Sequence, residues 1–164
     1  MRRAWIGLGA NLGDPPAQIA AALAALAAEP RLTVIARSRF WRSTAIGPQP
    51  QPDYCNAVAA LETTITPEVL LARLQDFEDA AGRTREQRWG ARVLDLDLLH
   101  VEGVRRRTTR LTLPHPQIAR RAFVLVPWSE IAPRLVVPGV GEIGRLAEAC
   151  DRSGLEPWPP SADG

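Results

Sequence analysis

The chain has 164 residues, of which 46% are apolar and 23% charged, and its formal net charge is +2. These values are typical of one globular domain with a single core; no apolar run approaches the roughly 20 residues of a membrane-spanning helix. All twenty basic residues are arginines, which excludes a Schiff-base lysine and a lysine-dependent phosphate loop. Any bound phosphate must therefore be held by arginine, histidine, backbone N–H groups or metal.

The first residues predict a strand at 3–9 that enters a glycine-containing turn. No apolar segment of the kind found in signal peptides precedes Gly7 to Gly13. Cys55 and Cys150 lack the spacing of a metal site, and without an export signal we expect both to be reduced and packed. We therefore expect a cytoplasmic protein.

Capping signals and turn residues divide the next part of the chain. Asp14 and Pro15 predict the start of a helix that continues through 17–28. Strands are predicted at 32–41 and 54–62, separated by a proline-rich segment that cannot continue a helix.

A second helix is predicted to begin at Thr66-Pro67 and to end near Ala81, because Gly82 supplies a C-terminal stop. A polar, basic loop leads into a fourth strand at 93–101. The remaining predictions are a basic hairpin tip at 105–107, a helical segment near 117–126, a short strand, a last helix at 142–150 and an irregular tail from about 152 to 164.

The element order predicts an α+β protein of the ferredoxin-like class. Strand, helix, strand, strand, helix, strand is the split βαβ arrangement. We expect one domain over 1–164, with an antiparallel sheet, helices on one face, and substrate loops on the other. A fold of this kind does not by itself name a function.

Two carboxylates interrupt the fourth strand, in the stretch LDLDLL. Because side chains alternate along a strand, Asp95 and Asp97 share one face and the leucines the other, with their Cα atoms roughly 7 Å apart. Two interpretations stay open: neighbouring arginines neutralise the pair, or the pair binds Mg²⁺ together with the phosphates of a nucleotide. The loop before the strand favours the second, because Arg83, Arg85, Arg88 and Arg92 lie there around Trp89, and such arginines suit phosphoryl transfer.

Several other residues are weaker candidates for a binding site when each is considered alone. GLGANLG departs from the G-x-G-x-x-G spacing of dinucleotide sites, and close backbone approach in a turn accounts for its glycines. His115 lies six residues before Arg121, so both would reach one phosphate chain. Tyr54 and Asn56 share a strand face, where an aromatic ring and an amide would suit a flat heterocycle, with Phe123 as a second plane. Ordinary core packing is the alternative for all of these.

Four segments resemble the 6-hydroxymethyl-7,8-dihydropterin pyrophosphokinases of folate biosynthesis. They are GLGANLGD, GPQPQPDYCNAV, GRTREQRWGARVLDLDLL and RLTLPHPQIARRAFVLVP. Ala91 stands where the family commonly has proline, and Cys55 where it more often has an apolar residue. Neither departure changes a charged site residue.

The resemblance implies a ferredoxin-like fold and transfer of pyrophosphate from ATP to the pterin, with release of AMP. It implies that Asp95 and Asp97 hold two Mg²⁺ ions and that Arg83 and Arg92 are catalytic-loop arginines. The matching nucleotide-contacting positions are Gln75, Glu78, Trp89, Arg92, Leu98, Arg110, Thr112, His115 and Arg121. The matching pterin-contacting positions are Ser43, Thr44, Ile46, Tyr54, Asn56, Trp89, Asp95 and Phe123.

Two other functions remain as alternatives. An RNA-binding module would stack bases on aromatic residues of the sheet, but aromatic residues are only 5% of this chain and two aspartates would face the polyanion. A nucleotidyl transferase would keep the metal chemistry but release pyrophosphate instead of AMP. We expect small-molecule substrates, a monomer, and neither nucleic acid nor membrane as a partner.

Overall fold

An antiparallel sheet forms the centre of the protein in a computed structural model, which describes residues 1–45, 50–82 and 94–159. The strands are β1 (Arg2–Ala10), β2 (Leu32–Arg37), β3 (Trp41–Ser43), β4 (Tyr54–Thr63), β5 (Asp95–Val101), β6 (Arg106–Arg107), β7 (Thr112–Leu113), β8 (Val136–Val137), β9 (Gly141–Glu142) and β10 (Leu155–Pro157). The helices are α1 (Pro15–Ala27), α2 (Pro67–Ala80), α3 (Ala122–Ile131) and α4 (Ile143–Ala149).

The strand order confirms the ferredoxin-like prediction. The sheet runs β10-β3-β4-β1-β5, and β2 also pairs with β4, so that β2 and β3 occupy successive parts of one edge. All neighbouring strands are antiparallel. Strand β4 lies between β1 and the β2–β3 edge, which is the split βαβ arrangement. No helix in the described ranges is long and apolar enough to cross a membrane.

The first two helices begin where the sequence predicts. The side chain of Asp14 accepts a hydrogen bond from the N–H of Ala17 at 3.3 Å, and Thr66 accepts one from Val69 at 3.3 Å. These bonds satisfy N–H groups that have no partner within the helix. Gly82 has φ +95° just beyond the end of α2, a conformation that glycine adopts without strain.

Two hydrophobic clusters cover the two faces of the sheet. One cluster joins alternate residues of β1, β4 and β5 to α1 and α2. The other lies on the opposite face, where Trp5 and Leu99 pack with α3 and α4. Helices therefore occupy both faces, whereas the sequence predicted them on one face only; α3 and α4 leave one end of the second face open.

Two predicted elements are each divided. The segment predicted as one strand at 32–41 forms β2 and β3, because Ser38 turns inward and its hydroxyl accepts a hydrogen bond from the N–H of Val58 at 3.0 Å. The helical segment predicted near 117–126 is a 3₁₀ turn at Ile118–Arg120 followed by α3. Arg121, between them, has an extended backbone with φ −119° and ψ 95°.

The prediction of an irregular C-terminal tail is wrong for residues 155–157. These residues form β10, which pairs with β3 in the register Leu155 to Ser43 and Pro157 to Trp41. An edge strand needs pairing on one side only, so it tolerates the proline that argues against a central strand.

Candidate active site

A cavity of about 440 Å³ opens on the second face of the sheet, beside the N-terminal end of α3. Residues of β1, β3, β4 and β5 form its floor and walls, and the segment from Gln117 to Val124 closes one side. Helices α3 and α4 cover the rest of this face, so the cavity is the part of the sheet surface that they leave open.

Asp95 and Asp97 both line this cavity, which confirms that they share a face. Both are half-buried, whereas Leu96 and Leu98 are buried on the side of α1 and α2. The alternation ends at Leu99, because Ile6 pairs with Leu98 and Trp5 pairs with His100. Leu99 is thus the extra residue of a β-bulge.

Two glycines of β1 lie directly opposite the carboxylates. Gly9 pairs with Asp95 and Gly7 with Asp97, and both glycines line the cavity. A Cβ atom on Gly9 would lie 3.4 Å from Asn56 Oδ1, at the short limit of an ordinary contact, so a side chain there would occupy part of the floor. The glycines therefore leave the floor of the cavity free of side chains, and Gly9 does so beside Asn56 and Tyr54.

The sequence prediction missed this role: it included Gly7 and Gly9 in the strand at 3–9 but explained the glycines by close backbone approach in the turn that follows. Strand β1 instead continues through Gly9 to Ala10, and it is Gly13, with φ +67°, that lies in the turn. A usable signal was present: two glycines one residue apart in a strand share a face. Nothing in the sequence shows that this face is also the face of Asp95 and Asp97.

Arg121 lies between the carboxylate end and the aromatic end of the cavity. Its Nη1 is 3.4 Å from Asp97 Oδ2, and its guanidinium carbon is 5.6 Å from the centre of the Phe123 ring. The extended backbone between the 3₁₀ turn and α3 directs this side chain toward the cavity. Arg121 thus neutralises Asp97, as one of the two interpretations of the aspartate pair predicted. This ion pair is partly exposed and contributes little to stability.

His115 is fixed as a hydrogen-bond donor. Its backbone N–H donates to the carbonyl of Leu99 at 2.8 Å, and the N–H of Gln117 donates to its Nδ1 at 3.1 Å. Burial, and next the positive charge of Arg121, lower the pKa of His115, while Asp95 opposes the shift. The imidazole is therefore favoured in its neutral form, with Nδ1 as acceptor and the proton on Nε2.

The opposite end of the cavity combines aromatic and amide groups. Tyr54 and Phe123 line it, together with Asn56, Ser43 and Thr44. Asn56 is buried, and its Nδ2 donates to the Ser43 hydroxyl at 2.7 Å. An amide held in this way beside aromatic rings suits the polar edge and the flat faces of a heterocycle.

The predicted nucleotide positions are more dispersed. Gln75 and Arg110 are exposed, and Leu98 is buried in the core under α1 and α2. Glu78 is also buried, and its Oε2 accepts a hydrogen bond from the N–H of Leu96 at 2.9 Å. None of these residues lines the cavity, and their nucleotide contacts stay predictions.

A second cleft of about 570 Å³ lies beside the β6–β7 hairpin. Thr112 and His115 line it together with the arginines of the β6–β7 hairpin, 105–107. Strands β6 and β7 do form a hairpin, but Arg106 and Arg107 pair with β7, so the tip lies at 108–111 and not at 105–107 as predicted. Of the remaining predicted site residues, Ile46, Arg83, Trp89 and Arg92 lie outside the described residues.

The donor set fits a hard divalent cation. Asp95 and Asp97 offer carboxylate oxygens from neighbouring positions on one rigid strand, and Mg²⁺ prefers oxygen ligands. In the described part of the chain, no group of three or more histidine, cysteine, aspartate or glutamate side chains is placed to hold a metal. Coordination at these two aspartates would therefore depend on water and substrate oxygens, as is common for Mg²⁺ in phosphoryl-transfer enzymes.

Comparison with known proteins identifies the family. The model of the 7,8-dihydro-6-hydroxymethylpterin-pyrophosphokinase family matches residues 5–133. The chain belongs to this pyrophosphokinase family. A 2-amino-4-hydroxy-6-hydroxymethyldihydropteridine pyrophosphokinase from Methylorubrum extorquens is 46% identical over 156 residues, 95% of this chain and 98% of that protein. The pyrophosphokinase of the same name from Haemophilus influenzae is 46% identical over 148 residues, 90% of this chain and 92% of that one.

The fold of this chain is also similar to that of solved structures. A crystal structure described as HPPK-DHPS in complex with substrates superposes with a TM-score of 0.73 at 10% identity, over 95% of this chain. Wild-type Plasmodium falciparum HPPK-DHPS gives 0.69 at 10% identity, over 90% of this chain. This chain spans 46% and 40% of those two chains. At such low identity the likeness shows the fold alone.

Proposed function

We propose that this chain transfers pyrophosphate from ATP to the hydroxymethyl group of 6-hydroxymethyl-7,8-dihydropterin and releases AMP, as a step of folate biosynthesis. The observation that carries the proposal is one cavity with two carboxylates at one end and an aromatic–amide pocket at the other. The names of the relatives, whose similarity covers nearly the whole chain, indicate the substrate class.

The pterin fits the aromatic–amide end of the cavity. Its flat ring would lie between Tyr54 and Phe123, and the amide of Asn56 would bond to its edge. Because the Ser43 hydroxyl already accepts a bond from Asn56 Nδ2, the Asn56 carbonyl oxygen is presented with a fixed orientation. An amide held in place before the ligand arrives loses little entropy on binding.

The carboxylate end fits the triphosphate. Asp95 and Asp97 would hold Mg²⁺, which when bound supplies positive charge that orients the phosphates and neutralises charge developing on them. Arg121 adds a fixed guanidinium beside Asp97. His115 would donate its Nε2 proton to a phosphate oxygen, since its Nδ1 is occupied by the N–H of Gln117.

The transfer joins the two ends of the cavity. The pterin hydroxyl oxygen forms a bond to the β-phosphorus of ATP, the bond from that phosphorus to the oxygen on the α-phosphorus breaks, and AMP leaves. No described residue stands out as a general base, so this chain contributes mainly position and charge to the reaction. Asp97 would at most assist removal of the hydroxyl proton.

Two further properties belong to the same proposal: a cytoplasmic location and a monomeric state. Burial raises the pKa of the Cys55 thiol to about 12, so this group is unreactive at neutral pH, as expected of a packed cysteine that takes part in no disulfide.

Separation of the nucleotides after reaction tests the function. The purified protein is incubated with ATP, Mg²⁺ and the pterin alcohol, and each substrate is omitted in turn. We expect AMP only when the pterin is present. Formation of ADP would mean transfer of a single phosphoryl group, and release of pyrophosphate would mean nucleotidyl transfer.

A further inference from the structure

The C-terminal segment borders the wall of the pterin end of the cavity. Strand β10 pairs with β3 so that Leu155 lies opposite Ser43. Ser43 and the next residue, Thr44, both line the cavity, and the Ser43 hydroxyl holds the amide of Asn56. The last described strand of the chain is thus one strand away from the group that would read the pterin edge.

Gly154 makes the closest approach to this wall. Its carbonyl accepts hydrogen bonds from the backbone N–H of Thr44 at 3.1 Å and from the Thr44 hydroxyl at 3.5 Å. Its φ is +77°, and a Cβ atom at this position would lie 2.9 Å from Thr44 Oγ1. Only glycine combines this backbone conformation with this approach, so the position is fitted to Thr44.

The segment is secured beyond Gly154 as well. The N–H of Trp158 donates to the carbonyl of Phe40 at 3.0 Å, and the Arg42 guanidinium carbon lies 4.7 Å from the centre of the Trp158 ring. Arg42 is also 3.4 Å from a carboxylate oxygen of Glu156. These contacts join both ends of the segment to β3 and to the residues just before it.

Strand β3 has a second support that does not depend on the C-terminus. The indole N–H of Trp41 donates to Glu130 of α3, and Arg39 Nε lies 2.9 Å from the same carboxylate. Strand β3 also pairs with β4 along its other edge. Loss of the C-terminal contacts would therefore leave β3 in the sheet and free mainly its end at Ser43 and Thr44.

We propose that residues 154–158, the C-terminal strap, are a positioning element of the pterin pocket. The strap holds Thr44 and Ser43, and through Ser43 the Asn56 amide, where the pterin edge meets them. This inference rests on the proposed function. It adds a segment that lies beyond residues 5–133, the part matched by the family model. Because β4 and β1 separate β3 from β5 and its two aspartates, the strap acts on the pterin and not on ATP.

Gly154→Ala, compared with Gly103→Ala, tests the strap. Gly103 has φ +73° but no atom within 4 Å of a Cβ atom built on it, so this control carries the same backbone strain without a neighbour. We expect Gly154→Ala to raise the KM and the dissociation constant of the pterin about tenfold, because displacing a binding group by a fraction of an ångström weakens its contacts. The KM of ATP should change less than about twofold.

A second comparison identifies the contact responsible for the effect of Gly154→Ala. In a Thr44→Ala background the hydroxyl that meets the new Cβ is gone, so Gly154→Ala should raise the pterin KM by a smaller factor than it does in the native background. Trp158→Ala loosens the strap without touching Gly154, and should also raise the pterin KM while the KM of ATP stays constant.

The possible results distinguish failure of the strap proposal from failure of the proposed function. The strap proposal would be overturned if the native protein is active and folded Gly154→Ala and Gly103→Ala have equal pterin KM values. If Gly154→Ala is unfolded at the assay temperature, an unchanged pterin KM in folded Trp158→Ala overturns it equally. A native protein that forms no AMP in the presence of pterin refutes the proposed function instead.

Discussion

At the scale of single residues, the missing side chain of Gly9 leaves part of the cavity floor open. A residue with a Cβ atom here would crowd the Asn56 carbonyl oxygen and approach Tyr54. Glycine also weakens a strand, because it has more freedom to lose on folding than any other residue. Glycine at this position therefore makes the strand less stable but leaves space in the cavity.

Gly9→Ala should separate stability from binding. We expect the free energy of unfolding to stay equal or rise by about 0.5–1 kcal/mol, since alanine suits a strand interior better. Pterin binding should weaken on the order of 10- to 100-fold, the usual effect of one misplaced methyl group in a pocket. Urea unfolding and a binding titration measure the two quantities.

The comparison for Gly9→Ala is Gly7→Ala. A Cβ atom on Gly7 would meet Leu99 Cδ2 at 3.6 Å, an ordinary contact, so the effect on pterin affinity should be smaller. Pterin affinity unchanged in a folded Gly9→Ala variant would show that the space above Gly9 is not used.

The aspartate pair shows what strand alternation predicts at this scale and where it stops. Period two placed Asp95 and Asp97 on one face from the sequence alone, and both line the cavity. The same period fails after Leu99, because a β-bulge inserts one extra residue and His100 packs on the same face as Leu99. The sequence gives no local signal for a bulge, since its position depends on what the partner strand packs against.

At the scale of elements, α2 is tied to β5 by one buried carboxylate. Glu78 Oε2 accepts a hydrogen bond from the N–H of Leu96, the residue between the two aspartates. A buried backbone N–H without an acceptor is unfavourable by about 1–3 kcal/mol. This bond therefore helps to fix the strand that carries the candidate metal ligands.

Glu78→Ala should lower the free energy of unfolding by about 1–3 kcal/mol, whereas Glu78→Gln, which keeps an acceptor oxygen, should lower it less. Urea unfolding of the two variants measures the difference. Equal stability in Glu78→Ala and the native protein would show that the bond contributes nothing. A rise in the KM of ATP in the stable Gln variant would support the predicted nucleotide contact.

Helix starts were predictable because they depend on local chemistry. Asp14 and Thr66 cap α1 and α2 as expected. The division of the segment at 117–126 and the pairing of residues 155–157 depend instead on distant partners. Local propensity does not indicate which distant residues will be in contact, so neither feature could be predicted from the sequence.

At the scale of the whole molecule, a buried histidine links stability to pH. His100 stacks on Trp5 with ring centroids 5.5 Å apart, and its Nδ1 has no hydrogen-bond partner among the described residues. Burial lowers the pKa of His100 from its ordinary value of 6.5, opposed by the charge of Glu102. The folded state therefore binds this proton less readily than the unfolded state does.

The sign of the effect follows from that difference. Stability from His100 is fully present above its ordinary pKa of 6.5, and it is lost as the pH falls from there through the lowered folded value. The loss is at most about 1.4 kcal/mol per pH unit. Glu68 and Asp151, whose pKa values lie below their ordinary 4.5 and 3.8, change charge only at lower pH.

Urea unfolding between about pH 7.5 and about pH 5.5 checks the prediction. The native protein should lose stability across this range, and His100→Phe, which keeps an aromatic ring on Trp5, should lose less. His115 titrates in both proteins, so the difference isolates His100. Parallel pH profiles would contradict the prediction.

The order of the elements was enough to predict the fold, and RWGARVLDLDLL with its companion segments was enough to predict the family. The comparisons confirm both. The residues alone left metal binding and arginine neutralisation open at Asp95 and Asp97, and the structure places Arg121 beside Asp97 while leaving the carboxylates facing the cavity. Composition and periodicity contain no information about which ligand fills it.

The measurement that tests the central claim most directly is pterin-dependent AMP release by Asp95→Asn and Asp97→Asn. Glu148→Gln, which removes one exposed carboxylate on α4, is the control. With ATP, Mg²⁺ and pterin present, we predict that both aspartate variants stay folded and that their kcat/KM falls on the order of 100- to 1000-fold. Glu148→Gln should match the native protein. Native rates in a folded Asp95→Asn, Asp97→Asn double variant would contradict the assignment of this cavity as the centre of pyrophosphoryl transfer.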